Sequence, residues 1–247
     1  AETHFPCMDV TGVWKDCFDP AKKEAPGKGT VVAVIDTGVD YTHKDLADNI
    51  WVNEGEIPGN GIDDDSNGYV DDVHGVDFVD GDCDPMDEHG HGTHVAGIIA
   101  MTPGNGGGVG VAYGAKIMCV RAGQANGSFA SSDIAKAIKY AADNGADVIN
   151  MSFGGTGRSY LVESALQDAF PSCVLVAAAG NDGLPTTDAI NAGYFNTEDI
   201  YPAGYKYVLG VMATDNNKSL ASFSNWDYLE GQNCEYEMAA PGVNIYS

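Results

Sequence analysis

Thr30-Val31-Val32-Ala33-Val34-Ile35, closing on Asp36, is an unbroken apolar run that ends in a carboxylate. A run without polar alternation is what a strand covered on both faces looks like, and such strands belong to parallel sheets. The same texture returns in Ala115 to Val120, Asp147-Val148-Ile149-Asn150-Met151, Val174 to Ala179 and Val208 to Ala213. Helical spacing fills intervals between them. Ser132 to Ala141 places apolar residues on one face, begins with Ser132-Asp133 and stops at Asn144-Gly145. Leu161 to Phe170 reads likewise and is ended by Pro171. Strand, helix, strand, helix in this order predicts an α/β fold: an open, mostly parallel sheet with helices on both faces. Ligands of such sheets bind beyond the carboxyl ends of the strands. Chemistry is therefore sought at Asp36, Arg121, Ser152 and Asn181.

The chain has 247 residues and a formal net charge of −24. A surface that acidic repels nucleic acid and anionic membranes, so neither is expected as a partner. No apolar run approaches the roughly 20 residues of a membrane-spanning helix. Between Lys44 and Lys116 there is no Lys or Arg, while carboxylates crowd positions 63 to 88. Six cysteines are spread without the close spacing of a zinc or redox motif. Cys119 and Cys173 lie in apolar runs and read as buried thiols; Cys7 and Cys17 are a candidate disulfide. The glycine-rich stretch Gly104 to Gly110 lacks the Lys-Ser/Thr ending of a phosphate loop.

Three blocks stand out. Val34-Ile35-Asp36-Thr37-Gly38 puts a carboxylate at a strand end. His89-Gly90-His91-Gly92-Thr93-His94 precedes an apolar helix, and Ala179-Gly180-Asn181-Asp182-Gly183 ends a strand in an Asn-bearing turn. Singly, each has a plain explanation as a turn, a cap or a packing residue. The three histidines also match zinc spacing loosely, without the Glu of the helical metalloprotease motif.

In this order the blocks resemble the subtilase family of serine proteases, from about Gly29 to the last residue. Asn150-Met151-Ser152-Phe153-Gly154-Gly155, Tyr201-Pro202-Ala203, Ala221-Ser222-Phe223-Ser224-Asn225 and Ala239-Ala240-Pro241-Gly242-Val243 extend the resemblance. It implies a subtilisin-like three-layer fold and a secreted serine endopeptidase acting on peptide or protein substrates. Asp36 would orient His91, His91 would be the general base, and Asn181 would donate its amide to the oxyanion. His94 would be structural. Ser152, Phe153 and Gly154 would line one side of the substrate and Gly127 the other.

In that family the serine follows in a Gly-Thr-Ser-Met-Ala block beyond the Ala-Pro-Gly turn, which here is Ala240-Pro241-Gly242. No Gly-Thr-Ser occurs before the sequence ends at Ser247. The expectation is an N-terminal arm over 1–28 and a peptidase domain over 29–247 that is incomplete at its C-terminus. The serine would come from a C-terminal fragment of the same protease, so that this chain alone is inactive. The alternative is a catalytically inactive, calcium-stabilised binding domain.

Asp63-Asp64-Asp65-Ser66-Asn67-Gly68-Tyr69-Val70-Asp71-Asp72 reads as a loop for structural Ca2+. Asp63, Asp65 and Asn67 alternate as oxygen ligands, the Tyr69 carbonyl can point inward, and Asp71 follows. The Glu that ends an EF-hand loop is missing, and Asp72 is the candidate replacement. Asp45 matches the family's calcium-binding Asp, although its loop partners near Thr102 to Gly108 depart from the pattern.

Overall fold

The computed structural model describes residues 8–17, 24–104, 107–187, 190, 194, 196–227 and 236–247. The opening strand is β1, Val31–Asp36. It lies inside a sheet of parallel strands together with β2 (Gly75–Asp77), β3 (Lys116–Arg121), β4 (Val148–Met151), β5 (Val174–Ala178), β6 (Leu209–Thr214) and β7 (Met238–Pro241). The order across the sheet is β2-β3-β1-β4-β5-β6-β7. Five of these strands are the apolar runs of the sequence, shifted by at most a residue or two. β2 and β7 carried no such signal, one embedded in the acidic region and the other short and alanine-rich.

The period of two in β1 explains the layering. Val32 and Val34 face one side, where they pack with Val95, Ala96 and Ala100 of helix α2 (His91–Ala100). Ala33 and Ile35 face the other, among Ala135, Ile138 and Tyr140 of α3 (Ser131–Asp143) and Leu166 of α4 (Tyr160–Ala169). An apolar strand without alternation is thus one whose two faces meet different helices. Cys119 and Cys173 are buried free thiols on these two sides.

The helix ends have separate causes. At α4, Ser159 Oγ accepts from the Val162 amide at 3.5 Å, a weak cap, and the chain leaves the helix before Pro171. At α3 the expected Ser/Asp start makes no cap to a backbone amide; the preceding residue is Ala130. The N-terminal arm contains a helix, α1 (Val10–Cys17), docked through Trp14. Its indole donates to the Val111 carbonyl at 2.9 Å and meets Tyr113 edge-on. Cys7 lies outside the described residues.

Candidate active site

The register of the sheet brings the chemistry to one edge. Asp36 is the last residue of β1 and pairs with Arg121, the last of β3. β4 delivers Ser152 and β5 delivers Asn181 just beyond their final residues. His91 comes from the first turn of α2, which packs across β1.

Asp36 is fully buried. Its Oδ1 accepts from the Thr37 amide at 2.7 Å and faces His91 Nδ1 at 2.7 Å. The other oxygen, Oδ2, has no partner among the described residues, so the carboxylate's interactions concentrate on the atom that meets the imidazole. The His91 side chain is 44% exposed. The hydrogen bond to Asp36 raises its pKa; burial opposes that, and the charges of Asp36 and Asp87 add to the rise. An Nδ1–H held by Asp36 leaves Nε2 as the basic atom.

Asp87 holds the histidine loop. Its carboxylate accepts from the amides of His89, Gly90 and Thr93 and from the Thr93 hydroxyl. Thr37 Oγ1 also donates to it at 2.9 Å, while accepting from the Gly92 amide at 3.1 Å. One carboxylate thus caps α2 and ties it to the residue after Asp36. Burial alone would push the Asp87 carboxyl up, but those hydrogen bonds outweigh it and hold the group below its ordinary value. The sequence contained the signal, an Asp four residues before His91, but nothing distinguished it from its acidic neighbours.

The residues that the sequence suggested would flank a substrate also assemble. Gly127 closes the tight turn after β3, and a Cβ there would stand 3.6 Å from His89 Nε2. Phe129 of that segment stacks on Phe153 at 4.2 Å, joining the Gly127 side to the Ser152-Phe153-Gly154 side. Gly154 is exposed, and a Cβ added to it would stand 2.4 Å from Ile200 Cγ2. The same side chain lies 3.0 Å from a Cβ placed on Gly180. Ile200, 4% exposed, therefore fills the space between the Ser152–Gly154 segment and the Asn181 turn. Asn181 itself is exposed.

Arg121, sought as a site residue, does something else. Its guanidinium reaches Asp77 at 2.6 Å, Asp80 at 2.9 Å and Glu88 at 2.8 Å. It binds the turn after β2 to the loop that precedes His91. Both Arg121 and Asp77 are buried.

The acidic loop brings together a carboxylate cluster that overlaps the set the sequence suggested. Glu56, Asp65 and Asp72 bring carboxylate oxygens within 4.8 Å of one another. Asp72 is fully buried and receives only neutral donors: Tyr140 at 2.5 Å, Asn53 at 2.9 Å and Asn67 at 3.0 Å. Burial pushes its pKa up against these hydrogen bonds. Three carboxylates so placed, with no Lys or Arg bound to them among the described residues, repel one another, and all-oxygen donors suit a hard divalent cation. The donor set fits Ca2+. Glu56 lay outside the quoted loop and could be found only from the fold. Asp63 and Asp71 are turned to backbone amides, of Asn67 and Gly68 and of Gly59, Asn60 and Gly61 respectively. The Tyr69 ring packs edge-on against Phe78 and Tyr140. Asp45 lies elsewhere, in a cavity beside His43, Gly90, His94 and Gly97; residues 105–106 of its expected partner loop lie outside the described residues.

Comparison with known proteins decides the family. Residues 27–247 match the peptidase S8 family, the subtilase family. The chain belongs to the subtilase family. It is 42% identical over 221 residues to the thermophilic serine proteinase of Bacillus sp. strain AK1, spanning 89% of this chain and 45% of that protein. It is 36% identical over 239 residues to thermitase of Thermoactinomyces vulgaris, spanning 93% of this chain and 71% of thermitase. The crystal structure of a cold-adapted subtilisin-like serine proteinase matches with TM-score 0.66 and 31% identity, over 90% of this chain and 66% of that one. The subtilase match thus reaches from the loop before β1 through the last strand.

Proposed function

We propose that this chain forms the greater part of the catalytic domain of a secreted, calcium-stabilised serine endopeptidase, with the nucleophilic serine on a segment that follows residue 247. The observation that carries the reading is the 2.7 Å pairing of His91 Nδ1 with buried Asp36 at the carboxyl edge of the sheet. Asp36 selects the tautomer in which Nε2 takes the serine proton as Oγ attacks the peptide carbonyl. The oxygen then carries negative charge, and the Asn181 amide donates to it. The imidazolium returns the proton to the leaving amine. Water repeats the sequence on the acyl-enzyme and releases the acid. Gly127 on one side and Ser152-Phe153-Gly154 on the other hold the substrate backbone as an added strand. Gly154 suits this because no side chain intrudes on that approach.

Ca2+ at Glu56, Asp65 and Asp72, with Asn53 and Asn67 beside them, would neutralise a repulsive acidic loop and stabilise the folded state. No described helix is long and apolar enough to cross a membrane. The test is labelling by a fluorophosphonate of the protein extended through its serine-bearing segment. The wild type is expected to react and to cleave a peptide amide; His91→Ala is expected to do neither. An extended protein whose fluorophosphonate reactivity is the same with and without His91 would sink the reading and leave an inactive binding domain.

A further inference from the structure

Resting on the reading of Asn181 as oxyanion donor, we propose that Asn225 is the positioning residue that aims it. Asn225 is fully buried, in a segment more than forty residues further along the chain, and shares no element with β5. Its backbone amide donates to the Gly180 carbonyl at 3.1 Å. Its side-chain Oδ1 accepts from the Asp182 amide at 2.8 Å and from the Leu184 amide at 3.2 Å. The Gly180 carbonyl belongs to the peptide unit before the Asn181 Cα, and the Asp182 amide belongs to the unit after it. One residue therefore pins both planes that meet at Asn181. With both planes held, φ and ψ of Asn181 are set, and so is the direction of its Cα–Cβ bond.

The surroundings fit this role. Gly180 has φ +106°, and a Cβ there would stand 2.7 Å from Asn225 Nδ2, so the amide occupies the room that a side chain would take. Nδ2 makes no hydrogen bond among the described residues although it is buried. Oδ1 is the atom that holds the turn. The neighbours secure Asn225 in turn. Gly183 donates to the Phe223 carbonyl at 2.8 Å, and Trp226 donates to the Leu184 carbonyl at 3.1 Å. The Asn181 turn is thus clamped to 223–226 along its length, with Asn225 at the one point that orients the donor. A misplacement of about 1 Å at a catalytic group costs about 100-fold, so loose positioning of Asn181 shows in kcat.

A double-mutant cycle tests it, made in the protease extended through its serine-bearing segment and assayed on a peptide amide below the melting temperature of every variant. Asn181→Ala is expected to lose about 100-fold or more in kcat, with KM little changed. Asn225→Ala is expected to lose about 10- to 100-fold, again in kcat. The double variant should be no slower than Asn181→Ala, because a turn without its donor has nothing left to aim. Asn225→Asp, which keeps an acceptor, should recover part of the loss. If Asn225→Ala does not fold, Asn225→Leu, similar in volume and without the acceptor, takes its place in the cycle. Additive losses, or a lowered melting temperature with unchanged kcat, overturn the positioning role. An Asn181→Ala variant with unchanged kcat overturns instead the donor reading beneath it.

Discussion

At the scale of single residues the decisive object is the His91–Asp36 pair. Asp36 could be singled out from a strand end and His91 from a glycine-rich helix start. Their partnership could not, because they are 55 positions apart and meet only through the packing of α2 on β1. The pair has a pH signature. A histidine whose pKa is raised stays protonated to higher pH, and a protonated imidazole cannot accept the serine proton. The acid limb of kcat/KM is therefore expected to lie above the ordinary histidine value of about 6.5. Asp36→Asn removes the charge and the selection of the Nδ1–H tautomer, so the limb should move down while kcat falls by about 10,000-fold, the figure for such a change in a Ser-His-Asp triad. Asp87→Asn removes the weaker of the two charges, together with acceptor positions that hold the histidine loop, and should move the limb down by less. A limb indifferent to both substitutions would contradict this assignment. Asp87 shows why part of the site was illegible: its role lies in five donors, from His89 and Gly90 of its loop, Thr93 of α2 and Thr37 after β1, not in its identity.

At the scale of elements, two side chains connect segments that the sequence left separate. Ile200 fills the gap between Gly154 and Gly180; on the proposed function it would form the floor of the pocket for the side chain before the scissile bond. Pocket depth was not legible, since it depends on where the fold places Ile200 between segments distant in sequence. Ile200→Ala is expected to raise kcat/KM for bulky side chains at that position relative to small ones by about 10-fold, within the 1–3 kcal/mol that a methylene or two is worth in such a pocket. Equal ratios in both enzymes would place the floor elsewhere. Arg121 joins the turn after β2 to the histidine loop. Arg121→Met leaves Asp77 buried beside no cation, which is expected to cost about 3–5 kcal/mol in urea unfolding. Adding Asp77→Leu should recover most of that, because an apolar pair replaces an ion pair at little net cost. A double variant as unstable as Arg121→Met would show that the backbone turn itself needs Asp77, whose Oδ1 also accepts from Val79 and Asp80.

At the scale of the whole molecule the dominant quantity is charge. A formal net charge of −24 on 247 residues means that the folded surface repels itself. Monovalent salt should raise the melting temperature gradually, as the Debye length shrinks from about 30 Å at 0.01 M to about 8 Å at 0.15 M. Calcium should act differently, with a saturable increment that reaches about 2.7 kcal/mol at a hundred times its Kd. Excess chelator is expected to remove that increment and leave the salt effect. Glu56→Gln and Asp72→Asn should each abolish the increment in calorimetry, whereas Asp63→Asn should keep most of it, because Asp63 is turned to the loop's own amides. A melting temperature unmoved by chelator, or a calcium increment that survives Asp72→Asn, would remove the ion from this loop.

The sequence by itself determined the layered α/β architecture, since runs such as Val31 to Ile35 can be buried only between two faces. It also determined the family and the types of residue at the strand ends. Tertiary structure alone decided which of those residues meet. Glu56 joins Asp65 and Asp72, Arg121 turns from the site to a three-carboxylate clamp, and Asn225 reaches back to the Asn181 turn. The physical reason is range. Hydrophobic period is written in neighbouring residues, whereas a hydrogen bond across the fold depends on angstrom-level geometry set by the packing of distant elements.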